Sequence, residues 1–191
     1  MTVKRPAKLP YLAMGYKVPV LKTIAESEPW EIYALEVLAY ILDGGDSARL
    51  SKNLVRGQEI ATTVSAGYDP FSRLTDLFTF GGIPTDQYTV IELEAALREQ
   101  IKQLQTTPVE KAELERVKIQ LRASQVYELD SIFYQGMKIG MLETVGLDWQ
   151  LFDRYLENIK AITTEQVQIV AKKYLIDDHL TVAVLEPQPI K

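Results

Sequence analysis

The sequence predicts an α+β fold in two layers: a mostly antiparallel sheet of about four or more strands with helices packed on one face. Three observations predict it. Ile60, Thr62, Val64 and Ala66 alternate with Ala61, Thr63 and Ser65, the two-residue period of a strand, and Leu180 to Leu185 reads as another. Apolar residues recur at helical spacing through most of the second half. The order strand, helix, helix, strand, strand, several helices, strand puts helices between strands that are not neighbours in sequence.

Residues 1–9 read as a linker, residues 10–188 as one domain entered through Lys8-Leu9-Pro10, and 189–191 as a tail. Tyr11 to Val18 is the first strand, and Gly15 within it marks a bulge or a close backbone approach. Ser27, Glu28 and Pro29 start a helix, Leu35, Leu38, Ile41 and Leu42 give its stripe, and Gly44-Gly45 end it through a left-handed cap. Ser47 is placed to cap a short second helix that stops at Gly57. The strand over Ile60–Ala66 turns at Tyr68-Asp69-Pro70-Phe71-Ser72 and returns as Leu74 to Phe80, closed by Gly81-Gly82 and Pro84, an antiparallel hairpin.

Val90, Leu93, Ala96, Leu97, Ile101 and Leu104 line a helix ended by Thr106-Thr107-Pro108. Thr107, Pro108 and Glu110 read as a capping box opening the next helix, whose stripe runs through Leu114, Val117 and Leu121 and past Leu129, Ile132 and Phe133. Gly136 or Gly140 marks a bend and Gly146 an end. Leu151, Tyr155 and Ile159 indicate a further helix, and Thr163 to Gln166 is a capping box for the helix of Val167, Val170 and Ala171. The last strand stops at Pro187.

The chain has 191 residues, 47% of them hydrophobic and 25% charged, the balance of a domain with a real core. Its net charge of −5, with cations interspersed among acids as in Glu110-Lys111-Ala112-Glu113-Leu114-Glu115-Arg116, argues against a nucleic-acid groove. No apolar run reaches bilayer-spanning length. Without cysteine there is neither disulfide nor thiol catalysis, and composition leaves the compartment open.

The chain has one histidine, His179, between Asp177-Asp178 and the last strand, where a solvated turn residue is expected. A protein zinc site takes three or four ligands from His, Cys, Asp or Glu, and no second histidine stands at ligand spacing, so no metal site is expected here. No Gly-x-Ser-x-Gly elbow accompanies a Ser-His-Asp set. Gly44-Gly45-Asp46-Ser47-Ala48-Arg49 lacks the phosphate-loop spacing and follows a helix, not a strand. Arg49 and Arg56 are solvated helix charges or contributors to a site, and Arg56 near a helix end is already favoured by the macrodipole. The acid pairs Glu92/Glu94 and Glu128/Asp130 read as exposed helix charges. Tyr127, Phe133, Tyr134, Met137 and Met141 fall at helical spacing and are expected to pack in the core.

Gly45-Asp46-Ser47-Ala48-Arg49-Leu50, then Leu54, and Ile60 to Ala66 resemble the pattern G-x-x-S-R-L-x-x-x-L-R followed by L-x-Y-S-V-S. That pattern belongs to the non-metal half of the pitrilysin/insulinase family of zinc proteases, which includes the mitochondrial processing peptidase. Val109 to Gly146 and Ala161 to Leu185 also resemble the bacterial members, so the likeness runs from about Tyr11 to Pro187.

The resemblance implies two homologous halves facing each other like a clam shell. The other half bears His-x-x-Glu-His and zinc, and this half closes the chamber. Zinc would belong to the parent protein, bound by the half missing here, with no catalytic residue in this chain. The implied partners are that zinc-bearing half or a homologous subunit, a peptide or protein substrate, and a second copy through self-association. The bacterial periplasm or cell envelope is the implied compartment. A catalytically inactive partner or structural subunit of the same family is the alternative.

In the family an Arg and a Tyr seven positions apart commonly hold substrate backbone. Aligned on Leu50, Leu54 and Ile60, this sequence has Val55 at the Arg position and Thr62 at the Tyr position, with Arg56 one step on. One residue turns an α-helical side chain by about 100°. Arg49, Arg56 and Thr62 are the candidate substrate-binding residues.

Overall fold

The computed structural model describes residues 1–190, apart from the side chains of Val126, Glu128, Leu129, Phe152 and Asp153. The expected place of Leu129 in a buried stripe and of Glu128 in an acid pair therefore lies outside the described residues. Among the described residues five strands and six α-helices follow one another: β1 (Thr2–Pro6), β2 (Tyr11–Val18), α1 (Trp30–Asp43), β3 (Ala61–Gly67), β4 (Asp76–Pro84), α2 (Val90–Thr106), α3 (Lys111–Leu129), α4 (Ile132–Val145), α5 (Leu151–Ala161), α6 (Thr164–Tyr174) and β5 (Leu180–Gln188). A π-helical turn, Ser51–Val55, lies between α1 and β3.

The sheet order is β1-β5-β2-β4-β3. β5, β2, β4 and β3 pair antiparallel, and β1 pairs parallel with β5 in the register Val3↔Leu185. The expected α+β sheet is thus present with one parallel strand added at its edge. That strand occupies the stretch read as a linker. Lys4, Arg5 and Pro6 conceal it from a periodicity reading, because charges and proline are what edge strands carry against unwanted pairing. Val184 N–H on the Met1 carbonyl oxygen, 2.9 Å, continues that register.

Alternation decides which face of the sheet is covered. Leu12, Met14, Tyr16 and Val18 of β2 and Phe78 and Phe80 of β4 are buried against helices, whereas Lys17, Leu77 and Thr79 face outward. α1 is apolar around its whole circumference, the mark of an enclosed helix, and it touches α3, α5, α6 and β3. Its two buried carboxylates accept hydrogen bonds from neighbouring helices. Glu31 takes Lys173 at 2.7 Å and the Tyr174 hydroxyl, and Glu36 takes the Tyr155 hydroxyl.

Several local expectations shift. α1 starts at Trp30 after Pro29 with no side-chain cap from Ser27. The left-handed residue after α1 is Gly45, φ 112°, not Gly44, which only closes the helix on the Tyr40 carbonyl. Ser47 caps nothing; its Oγ accepts from Arg116 at 2.8 Å. The hairpin return runs over Asp76–Pro84, so Gly81 and Gly82 lie inside the strand, where missing side chains admit Tyr11 and Leu93.

The expected box at Thr107–Glu110 does not open α3, which begins at Lys111; Thr107 instead ends α2 through its N–H on Gln103. The boxes that form are Thr89–Glu92 and Thr163–Gln166. Gly15 makes the expected close approach: a Cβ added there would lie 3.0 Å from Leu77 Cδ1.

The aromatic and methionine cluster departs most from expectation. Tyr127 and Phe133 are 76% and 74% exposed, and Tyr134, Met137 and Met141 are exposed as well. α4 rests on α3 beyond the sheet. Helical spacing shows that these residues share a helix, and it says nothing of what faces them.

Candidate functional site

The segment after α1 is anchored from beneath. Ala48, Leu50 and Leu54 are fully buried, so the polar residues between them must face outward. Arg49 reaches α3 and holds Glu113 through two bonds, Nε to Oε1 at 3.0 Å and Nη2 to Oε2 at 2.7 Å. Both side chains are about one-fifth exposed, 20% and 19%. This fork-on-fork pair fixes the angle between the turn and α3.

From Ser51 the helix loosens into a π turn. Arg56 N–H donates to the Ser51 carbonyl at 3.1 Å, a five-residue step. A π turn accommodates one residue more than an α turn. Arg56 itself is exposed, and its Nη2 folds back onto the Asp46 carbonyl oxygen. Asn53 Nδ2 donates to the buried Gln100 Oε1 at 2.7 Å, tying the same turn to α2.

These elements enclose an open groove of about 810 Å³ whose walls include Arg49, Lys52, Arg56, Glu110, Glu113 and Arg116. Two of the three candidate residues, Arg49 and Arg56, meet there. Thr62 does not line it. That residue sits at an irregularity of β3, where the register to β4 shifts between Ala61 and Thr63, and its hydroxyl lies 3.5 Å from the Pro84 carbonyl. Glu59, just before it, has φ 53°, a left-handed backbone that non-glycine residues rarely adopt.

Lys52, Glu113 and Arg116 were not singled out from sequence. The one available signal was spacing, since Glu113 and Arg116 stand three apart on a helix and so share a face. Their partners Arg49 and Ser47 lie more than sixty positions away, beyond any periodicity argument.

Asp43 closes the far side of the turn by accepting Ala66 N–H at 3.1 Å, and burial raises its carboxyl above the usual range. His179 lies in a short 3₁₀ turn, half-buried, with Nδ1 3.2 Å from the Tyr174 carbonyl oxygen. It lies in a turn, as expected, with its ring beside that of Tyr174. The donor set does not fit zinc: among the described residues no three His, Asp or Glu side chains are grouped to hold a metal ion. Nor is any helix among them long and apolar enough to cross a membrane.

Comparison with known proteins bears on the whole fold. The family model described as the peptidase M16 inactive domain matches residues 2–121. No curated protein matches. Among solved structures, a protease from Helicobacter pylori superposes with a TM-score of 0.87 at 22% identity, covering 97% of this chain and 43% of that one. The inactive peptidase domain of a candidate zinc protease from Bordetella parapertussis gives 0.83 at 21% identity, over 99% of this chain and 96% of that one. The periplasmic protease PqqL from Escherichia coli gives 0.72 at 18%, over 98% and 20%. The chain therefore spans less than half the length of the Helicobacter protein. Family match and fold agree: the chain belongs to the peptidase M16 family, to the domain described as inactive.

Proposed function

We propose that this chain closes the substrate chamber of a zinc metalloendopeptidase, opposite a half that bears His-x-x-Glu-His and the zinc ion. The observation that supports the reading most is the inactive-domain match, joined to the lack of a metal donor set among the described residues. In this reading the chain supplies no group to peptide-bond cleavage. It contributes enclosure, exclusion of water, and donors that orient the peptide.

Arg56 is the substrate donor we assign. It stands one residue beyond the family's Arg position, and the π turn that precedes it absorbs one residue. Its guanidinium has donors beyond the one held by Asp46. Arg49 acts on Arg56 by fixing the turn through Glu113. Thr62 offers a hydroxyl on the exposed strand β3 in place of a phenol, with a shorter reach.

The exposed apolar side of α4, with Phe133, Tyr134 and Met137, is a surface for the companion half, and without that half it favours self-association. The periplasm or cell envelope is the compartment we assign, supported by resemblance to bacterial members and similarity to a periplasmic protease.

The test is reconstitution. The two halves, produced as separate chains and mixed, should cleave a generic unstructured peptide that neither cleaves alone. Arg56→Ala in this chain should then raise KM more than it lowers kcat. A zinc-bearing half that is fully active alone, unchanged by this chain, would refute chamber closure.

A further inference from the structure

The two edges of the sheet are finished differently. β1, at one end, carries Lys4, Arg5 and Pro6 exposed along it, and charge and proline deter pairing with another strand. β3, at the other end, reads Ala61-Thr62-Thr63-Val64-Ser65-Ala66-Gly67, without a charge or a proline, and Thr62, Thr63 and Ser65 are exposed. Ala66 gives its N–H to Asp43 Oδ2 at 3.1 Å and not to β4, so its backbone faces outward. Alternation along an antiparallel ladder turns Val64, two residues back, outward as well. Among the described residues, the Val64 N–H and carbonyl have no protein partner. Asp43 closes the edge at Ala66, and the register shift between Ala61 and Thr63 closes it at the other end. A short, uncharged length of strand stays open between them.

We propose that this open length of β3 pairs with the main chain of an extended peptide substrate, which joins the sheet as a further strand. An outward-facing residue offers an N–H and a carbonyl together, and an extended peptide of any sequence supplies their complements. Thr63 and Ser65, the exposed neighbours of Val64, are short and uncharged, so they select neither sign of charge in the peptide. A second copy of this chain is a poor occupant. Thr62 to Ser65 spans only ~13 Å of strand, far too little edge for the ~800 Å² that each partner of a stable pair buries. A substrate held for one turnover needs no such area. The open length also follows Arg56, assigned above as a substrate donor, with only Gly57 to Ile60 between that residue and β3. Backbone recognition rests on the peptide-orienting reading above and deepens it by naming the group recognised.

The experiment is amide-resolved hydrogen exchange on the isolated chain, with a capped, uncharged Thr/Ser/Val octapeptide and two N-methylated versions of it. One version is methylated at alternate residues, which leaves one edge of the peptide able to pair; the other is methylated at every residue, which leaves none. The unmodified and alternately methylated peptides should slow exchange of the Val64 amide ~10-fold or more, the scale of one or two backbone hydrogen bonds. The fully methylated peptide should not, and no amide of β1 should gain protection. Val64→Pro removes the outward N–H at an edge position, where proline is tolerated. It should weaken binding of the labelled peptide, read by fluorescence anisotropy, ~10-fold. If that variant does not fold, the peptide series on the unaltered chain still decides. No Val64 protection at millimolar peptide, equal effects of all three peptides, protection at β1 instead, or wild-type binding by folded Val64→Pro would overturn the inference. Protection of Val64 that rises with chain concentration in the absence of peptide would give the edge to a second copy and also overturn it. Chamber closure is read separately, by cleavage on mixing the two halves, so either can fail while the other holds.

Discussion

Arg49 and Glu113, sixty-four positions apart, form two parallel N–H···O bonds of 3.0 and 2.7 Å that join the turn after α1 to the first turn of α3. The pair is largely shielded, so solvent screens it less than it would a surface pair, and each partner left alone would keep a poorly solvated charge. Glu113→Ala should therefore destabilise the fold by about 1–3 kcal/mol, and Arg49→Ala by a comparable amount. Urea unfolding of both single variants and the double variant checks this. A double variant no worse than either single one confirms a shared interaction, and full additivity would show that the residues act separately.

Glycines at two places should respond oppositely to alanine. Gly45 has φ 112°, where an L side chain is strained, so Gly45→Ala should cost about 1–3 kcal/mol. A Cβ on Gly140 would meet nothing within 4 Å, inside a helix, and Gly140→Ala should stabilise by about 0.5–1 kcal/mol. Thermal midpoints on both sides of wild type are the expected result, and a shift of both in one direction would contradict it.

Buried tyrosines make the fold sensitive to alkali. Burial raises Tyr16 and Tyr174 to about 12, the latter also through Glu31, and raises Tyr68 and Tyr155 as well. These folded-state values exceed the unfolded value of about 10. Their stabilisation is therefore complete below pH ~10 and is lost as pH rises through the folded values near 12. Tyrosinate absorbance should show these four remaining protonated until the chain unfolds. Their ionisation at pH ~10 with native circular dichroism retained would contradict the burial described.

Much of this was legible in the sequence, for physical reasons. Leu12, Met14, Tyr16 and Val18 alternate because one face of β2 meets helices, and α1 reads as a helix because Leu35, Leu38, Ile41 and Leu42 fall on one side. β1 was hidden, since an edge strand of Lys, Arg and Pro has no apolar signal. The exposure of Phe133 and Met137 was hidden too: periodicity specifies a helix and leaves its neighbour unspecified. At the site, Arg49 and Arg56 could be singled out from a local pattern, but their junction with Arg116 arises from tertiary packing. The π turn could not be foreseen from Ser51–Val55, a segment whose composition suits an α-helix equally well.

Hydrolysis by this fold requires a metal-ligand set, and none is grouped among the described residues of this chain. Zinc titration of the purified chain, followed by metal analysis after dialysis, tests it most directly. No stoichiometric zinc, no peptide cleavage and no change on His179→Ala are expected. One tightly held zinc per chain, or cleavage that vanishes with His179→Ala, would contradict it.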